Sequence, residues 1–194
     1  MAIIHQATLT PSKAETLATW LSAQPWFGGT AEVTAPVAAY RFDDPAGEVG
    51  MEAFFVEVGG RTVHVPVTYR GAPLPGGDEW LVGTMEHSVL GTRWVYDAVG
   101  DPVYRAELTR VVREGGTHVR LMVETPDGPV EREPTAFVRG SGSGSVAGQE
   151  GEPEIVVVRF PSADAVVPSE HTLTGTWTGQ DEPAVLAYLV PPTV

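Results

Sequence analysis

The segment Glu86-His87-Ser88 is where side chains capable of acid–base or nucleophilic chemistry stand closest together in this chain. Aromatic and further acidic residues follow it closely, and a polar cluster among aromatic side chains is typical of a small-ligand pocket. His87 could act there as a general acid or base near neutral pH. Seven residues are therefore candidates for ligand binding or interaction: Glu86, His87, Ser88, Trp94, Tyr96, Asp97 and Asp101.

The same residues also have a purely structural interpretation. Glu86, His87 and Ser88 cannot form a nucleophilic triad among themselves, because successive side chains diverge and the base must point at the nucleophile. In this interpretation the polar groups bond to the backbone of an irregular crossing and cap the next helix, with Trp94 and Tyr96 packed beneath them. The sequence leaves both interpretations open, and it predicts no catalytic residue.

No motif predicts a metal or a cofactor. The five histidines, at positions 5, 64, 87, 118 and 171, include no H-E-x-x-H motif and no pair four residues apart. Gly142-x-Gly144-x-x-Ala147 matches the spacing of a dinucleotide-binding loop, but acidic residues follow it instead of an apolar helix, which favours a flexible loop. Because the chain has no cysteine, thiolate metal sites and thiol nucleophiles are excluded.

The charge balance disfavours polyanionic partners. The chain carries 25 Asp and Glu against 12 Lys and Arg, a formal net charge of −13, and Lys13 is its only lysine. Nucleic acids and anionic membranes both require clustered basic side chains, so neither is an expected partner. The amino-terminal residues lack a signal-peptide pattern and no stretch has the length of a membrane span, so we expect a cytoplasmic protein.

Two helices are predicted, over about 11–23 and 101–114. Thr10-Pro11 and Asp101-Pro102 each combine a capping residue with a proline suited to the first helical position. In the first helix, the spacing of Ala14, Leu17, Ala18 and Leu21 predicts one buried stripe, with Lys13 outside it.

The clearest strand signal is a hairpin, in which Met51–Val58 and Arg61–Arg70 flank the turn Gly59-Gly60. Both faces of this hairpin carry apolar side chains, so we expect it to be central in a sheet. The remaining pattern is dominated by short strands, which predicts an α+β fold with antiparallel sheets. A Gly/Ser-rich segment at 140–152 is a predicted loop or linker between a domain at 1–139 and carboxy-terminal strands at 153–194.

Five blocks of the sequence resemble the amino-terminal cap domain of bacterial maltokinases, over residues 1 to about 125. These blocks are Met1-Ala-Ile-Ile-His5, Tyr40-Arg-Phe42, Val65-Pro-Val-Thr-Tyr-Arg70, Gly83-Thr-Met-Glu-His-Ser-Val-Leu-Gly91 and Arg93-Trp-Val-Tyr-Asp97. The resemblance implies a curved antiparallel sheet with helices, similar to the cystatin fold. In that family the cap precedes a two-lobed kinase that phosphorylates maltose with ATP and magnesium.

The chain departs from the kinase pattern after the cap. The roughly 70 residues that follow leave no room for the lobe that would carry the catalytic aspartate. Residues 153–194 either form an antiparallel meander packed on the cap or are a remnant of a kinase small lobe. No lysine stands at 154–160, where such a lobe would contact ATP.

The resemblance therefore implies a non-catalytic module of maltose, trehalose or glycogen (α-glucan) metabolism. Its expected partner is a sugar kinase or an α-glucan or trehalose enzyme, and exposed sheet edges could also pair two copies. The alternative is a protein that binds a sugar or metabolite, or a weak enzyme, with a pocket near Glu86, His87 and Asp97.

Overall fold

The hairpin predicted around Gly59-Gly60 lies at the centre of the largest sheet. The computed structural model of the chain describes residues 2–4, 7–125, 128–143 and 152–191. The hairpin strands are β4 (Gly50–Val58) and β5 (Arg61–Arg70), and both glycines of the turn have positive φ, at 59° and 75°, as a primed turn requires. The predicted register is confirmed, since Val56 lies opposite Val63 and Phe54 opposite Val65.

Six antiparallel strands form this sheet, in the order β2-β6-β7-β5-β4-β3. Its other strands are β2 (Leu9–Thr10), β3 (Pro36–Phe42), β6 (Leu81–His87) and β7 (Gly91–Asp97). Strands β6 and β7 form a hairpin that is irregular between Leu81 and Gly83 and continuously paired from Gly83 to His87, so the irregular crossing expected around Glu86 was wrong. Short 3-10 turns at Asp78–Trp80 and Ala98–Gly100 precede β6 and follow β7.

Seven further strands form two smaller sheets. They are β1 (Ala2–Ile4), β8 (Leu121–Thr125), β9 (Gly128–Arg132), β10 (Ala136–Gly140), β11 (Glu154–Val157), β12 (Thr172–Trp177) and β13 (Gln180–Val190). One sheet has the order β1-β8-β9 and the other β10-β12-β13-β11. The pair β1–β8 is parallel, which the long chain between the two strands permits. The second order differs from a simple meander over 153–194, because β11 pairs with the far edge of β13.

Helix α1 spans Lys13–Ser22, and its start differs from the prediction. Thr10 belongs to β2, and the capping residue is Ser12. The Ser12 side chain accepts from the backbone N–H of Glu15, and the Glu15 carboxylate accepts from the backbone N–H of Ser12. This reciprocal capping box is written in the sequence as Ser-x-x-Glu and was the stronger signal.

Helix α2 spans Pro102–Glu114, within the predicted range. Asp101 caps it by accepting from the Val103 N–H at 3.0 Å, and Gly115 ends it with φ 70°. Two further glycines allow close packing at its end, since a Cβ at Gly140 or Gly142 would lie about 2 Å from backbone oxygens of the helix. The predicted linker 140–152 therefore begins with residues packed on α2, and its residues 144–151 lie outside the described part.

The six-stranded sheet is covered on both faces. On one face, α1 contributes Leu17, Trp20 and Leu21 to a core with Phe54 and Val65, which we call the α1-side core. Trp20 is buried in this core, while Ala14 and Ala18 are only half buried. The predicted stripe is thus shifted toward Trp20.

The other face packs against α2 and the sheet β10-β12-β13-β11, in what we call the α2-side core. Leu108 of α2 and Phe55 of β4 are buried there together with Leu186 of β13. The rings of Phe55 and Trp177 stack with their centroids 4.3 Å apart. Two helices with mostly antiparallel sheets in the described part of the chain confirm the α+β class. Within the described ranges, no helix has the length and hydropathy to cross a membrane.

The shared α2-side core leads us to expect one cooperative unfolding transition, which Leu108→Ala should shift as a whole. Removing this fully buried side chain should cost about 3 kcal/mol of the free energy of unfolding. Urea unfolding followed by tryptophan fluorescence and by far-UV circular dichroism measures both effects. Two separate transitions, with only one of them shifted by the substitution, would contradict a shared core.

Candidate functional site

A cavity of about 760 Å³ lies on the α1 side of the six-stranded sheet. It is enclosed by the start of α1, the connection between β3 and β4, and the β6–β7 hairpin. Its ionisable lining residues from strands and helix are Lys13, Arg41, Glu52, Tyr69, His87 and Arg93. The volume is in the range of small-molecule sites in proteins.

Glu52 is the buried charge of this site, with 8% of its surface exposed. It points to the same face of β4 as Phe54 because side chains alternate along a strand. The Lys13 Nζ donates to Glu52 Oε2 at 2.6 Å, the Tyr69 hydroxyl donates to the same oxygen at 3.2 Å, and Arg41 Nη2 lies 3.1 Å from Oε1. Each side chain comes from a different element, so the carboxylate connects α1 to β3, β4 and β5.

The charges around Glu52 determine its ionisation. Burial by itself would raise the pKa of Glu52, but the positive charges of Lys13 and Arg41 outweigh burial and hold this pKa below its usual value. Burial, followed by the negative charge of Glu52, raises the pKa of Tyr69 well above its usual value. At neutral pH the site therefore holds an ionised carboxylate beside a neutral phenol that donates to it.

Lys13 lies over the sheet, so the expectation that it lies outside the buried stripe was wrong. Its Nζ is 5.1 Å from the ring centroid of Phe54 and 5.8 Å from that of Tyr69, within the range of cation–π attraction. The signal was present, because Lys13 precedes Leu17 by one helical turn and Trp20 by two. A lysine at such a position can place its stem on the apolar face and its ammonium at the margin.

The predicted candidates Glu86, His87 and Ser88 lie at the β6–β7 hairpin end. His87 lines the cavity, and its Nδ1 accepts from the backbone N–H groups of Val89 and Leu90. Glu86 and Ser88 are exposed and bond outside the cavity, Glu86 to the Thr92 hydroxyl and Ser88 to the backbone N–H of Thr8.

Asp97 lies at the opposite end of β7 from this turn and is buried. Arg159 Nη2 donates to Asp97 Oδ2, and the Arg159 guanidinium also lies over the rings of Trp20 and Trp26. Burial raises the pKa of Asp97, and the Arg159 charge offsets only part of that effect. This pair joins β7 to the segment that follows β11.

Asp101 is fully buried and holds the start of α2 against the sheet. In addition to its capping bond, it accepts from Arg70 Nε at 2.7 Å, from Arg70 Nη2 at 2.6 Å and from the Thr68 hydroxyl at 2.8 Å. The predicted cap of the second helix is confirmed, but Asp101 provides it rather than Glu86, His87 or Ser88.

The remaining two candidates, Trp94 and Tyr96, lie two residues apart on β7 and therefore on the same face of the sheet. Tyr96 is buried and its hydroxyl accepts from the backbone N–H of Leu74 at 2.8 Å, while Trp94 is half buried. Of the seven candidates, only His87 therefore lines the cavity. The structure does not bring His87 and Asp97 into one cluster, and a ligand-binding role for the seven residues stays a prediction.

Another histidine of the hairpin, His64, is buried in the α2-side core region. It stacks on Phe55 with centroids 5.2 Å apart, and its Nε2 lies 3.0 Å from the Tyr40 hydroxyl. Burial, together with the charge of Arg159, lowers the pKa of His64 to about 3. His64 is therefore a core side chain that is uncharged at neutral pH. Across the described ranges, no three metal-ligating side chains form a cluster.

Sequence reasoning missed the charged residues of the cavity. The available signal was a carboxylate at an alternating apolar position of the central hairpin, since Glu52 shares a face with Phe54 and Val56. A charge on a buried face requires a partner. The partners Lys13 and Arg41 come from other elements, and no local spacing predicts that they meet.

One known protein family matches part of the chain. Residues 20–101 match the model of the maltokinase N-terminal cap domain. Over these residues the chain is similar to the maltokinase cap domain. It runs from within α1 through β7 to the residue that caps α2, so it includes the central hairpin and most of the cavity. The predicted resemblance is thereby confirmed for 20–101, a shorter stretch than the one expected. No curated protein matches the chain at a significant level.

The ion pairs of Glu52 predict a specific pH dependence of stability. A carboxylate with a lowered folded-state pKa stabilises the fold above the unfolded value, near 4.5, and this contribution is lost as the pH falls through the lower folded-state pKa. We expect Glu52→Gln to lower the free energy of unfolding by about 2 kcal/mol at pH 7, and by less below pH 4.5. Urea titrations at several pH values measure this.

The matched control is Glu48→Gln, which removes an exposed carboxylate from the rim of the same cavity. It should change stability by no more than about 0.5 kcal/mol at either pH. A Glu52→Gln penalty that stays constant between pH 7 and pH 3.5 would show that the charge of Glu52 contributes nothing.

Proposed function

We propose that this chain acts as a non-catalytic, maltokinase-related cap module in α-glucan metabolism. The observation that carries this proposal is the match of residues 20–101 to a cap domain, since in that family the cap precedes the kinase body and the body performs the phosphoryl transfer. The sheet covered by α2 supports the cystatin-like form that the resemblance implies. Maltose, trehalose and glycogen metabolism are the processes that such a relation favours, in the cytoplasm.

The proposed partner is a sugar kinase or another α-glucan or trehalose enzyme. A module of this kind acts by holding or regulating a catalytic body. The net charge of −13 favours a partner with a complementary basic face, because such charge complementarity speeds association and orients the two proteins.

The expected outcome is complex formation without catalysis. The purified chain with ATP, magnesium and maltose, trehalose or glucose should give no phosphosugar. Mixed with a maltokinase body whose own cap has been removed, it should form a complex that multi-angle light scattering detects. The same measurement on the chain alone, at two concentrations, reports whether two copies pair.

Turnover that a substitution in this chain abolishes would refute the non-catalytic role. A mixture in which neither a kinase body nor an α-glucan or trehalose enzyme changes the mass of the chain would refute the partner role.

The cavity beside Lys13 favours a second candidate function, the binding of a sugar or another small metabolite, or a weak activity on one. Its volume suits a small molecule, and cations, carboxylates and aromatic rings surround it. His87 lines this cavity. Of the three residues near which a pocket was predicted, Glu86, His87 and Asp97, it is the one that the cavity includes.

A thermal-shift screen against sugars and metabolites tests this second function. We expect at least one compound to stabilise the wild type, and His87→Ala to reduce that shift while the variant keeps its fold. Glu86→Gln is the matched control, because Glu86 is adjacent but does not line the cavity. Equal shifts for wild type and His87→Ala would place the ligand elsewhere.

A further inference from the structure

The unused hydrogen-bonding groups of the cavity indicate what kind of ligand would fit it. Both oxygens of Glu52 are engaged, Oε2 by Lys13 and Tyr69, and Oε1 by Arg41. The acceptor capacity at this point is therefore already taken. What the surrounding side chains still offer is donors.

Lys13 carries three N–H donors, and among the described residues one of them has an assigned acceptor. The Nε atoms of Arg41 and Arg93 are buried and have no partner within the described residues. Arg93 donates through Nη2 to the Leu90 carbonyl at 2.6 Å, and no carboxylate in the described part of the chain lies within ion-pair distance of it. Three cations thus face a single buried carboxylate.

Three further carboxylates line the cavity from the β3–β4 connection, those of Asp43, Asp44 and Glu48, and Asp43 already has a partner. The Asp44 carboxylate accepts from the backbone N–H groups of Ala46, Glu48 and Val49, each at 2.9 Å, so it is used within its own loop. Glu48 is exposed at the rim, where it can accept from a hydroxyl group of a ligand. Donors around Glu52 and an acceptor at the rim favour a ligand with an anionic end and hydroxyl groups.

This concentration of cations is unusual for the chain. Only 12 lysines and arginines are present against 25 acidic residues, yet the single lysine and two of the arginines line one cavity. A volume of about 760 Å³ is much larger than an inorganic anion needs and is sufficient for a molecule of sugar size.

We propose that the cavity beside Lys13, Arg41 and Arg93 binds a small hydroxylated organic anion, whose phosphate or carboxylate group is held by these cations. The proposal rests on the second candidate function above and narrows it to a ligand class. Arg93 supplies the guanidinium that is free to pair with the anion, Lys13 adds donors beside it, and Glu48 accepts from a hydroxyl group.

Isothermal titration calorimetry with four probes tests the proposal: glucose 6-phosphate, gluconate, inorganic phosphate and glucose. At least one of the two hydroxylated anions should bind at least tenfold more tightly than glucose and than inorganic phosphate, and its affinity should fall as salt is added. The stronger of the two identifies the anionic group. Glucose binding as tightly as both anions would overturn the anionic class while leaving a small-molecule function in place.

Two variants locate the binding. Arg93→Gln and Lys13→Gln should each weaken binding of the preferred anion at least tenfold, because each removes a charge-assisted donor. Arg120→Gln is the matched control, since Arg120 is 80% exposed and does not line the cavity. Two-dimensional NMR spectra establish that each variant is folded, and Lys13→Gln serves as the test if Arg93→Gln does not fold.

Unchanged affinity in both folded variants would overturn the assignment of the cavity. Absence of binding by every anionic probe would overturn the ligand class. If the metabolite screen also finds no ligand that responds to His87→Ala, the second candidate function fails with it. If a ligand is found only in that screen, the small-molecule function is supported and the anionic ligand class is overturned.

Discussion

Burial of the β4–β5 hairpin on both faces is the constraint on which the rest of the structure depends. One face lies under α1 and the other under α2 and the second sheet, so almost every side chain of the hairpin is removed from water. An apolar side chain is stabilised by such burial, but a charged one is strongly destabilised unless it is paired. The single carboxylate on the inner part of β4, Glu52, therefore determines which groups must surround it.

Neutralising Glu52 has consequences beyond local stability. Lys13 reaches it from the first residue of α1, and Arg41 reaches it from the neighbouring strand. Because a buried pair has to be completed by several donors, the helix start, the strand β3 and the hairpin are fixed relative to one another. The same charges that satisfy the carboxylate also line the cavity, so the stability of the sheet and the chemistry of the site have one origin.

A second set of buried ion pairs connects the six-stranded sheet to the rest of the chain. Asp101 joins the start of α2 to Arg70 and Thr68 of β5, and Asp97 joins the end of β7 to Arg159. The segment after β11 also lies against the hairpin, since the backbone N–H of His64 donates to the backbone carbonyl of Arg159 at 2.9 Å. The strands that follow the cap-family segment are thereby packed into the same core as the segment itself.

The sequence by itself determined the elements whose signals are local. The Gly59-Gly60 turn fixed the register of the hairpin, Asp101-Pro102 fixed the start of α2, and apolar side chains on both faces indicated that the hairpin is central. The blocks at Tyr40–Phe42 and Val65–Arg70 indicated the family. Only the tertiary structure decided that Lys13 and Arg41 meet around Glu52, that Arg93 lines the same cavity, and that His87 and Asp97 lie apart. The physical reason is that a buried charge must be paired, so a charged residue in an apolar strand pattern predicts that a partner exists. Which residue is the partner depends on how separate elements pack, and the sequence pattern does not contain that information.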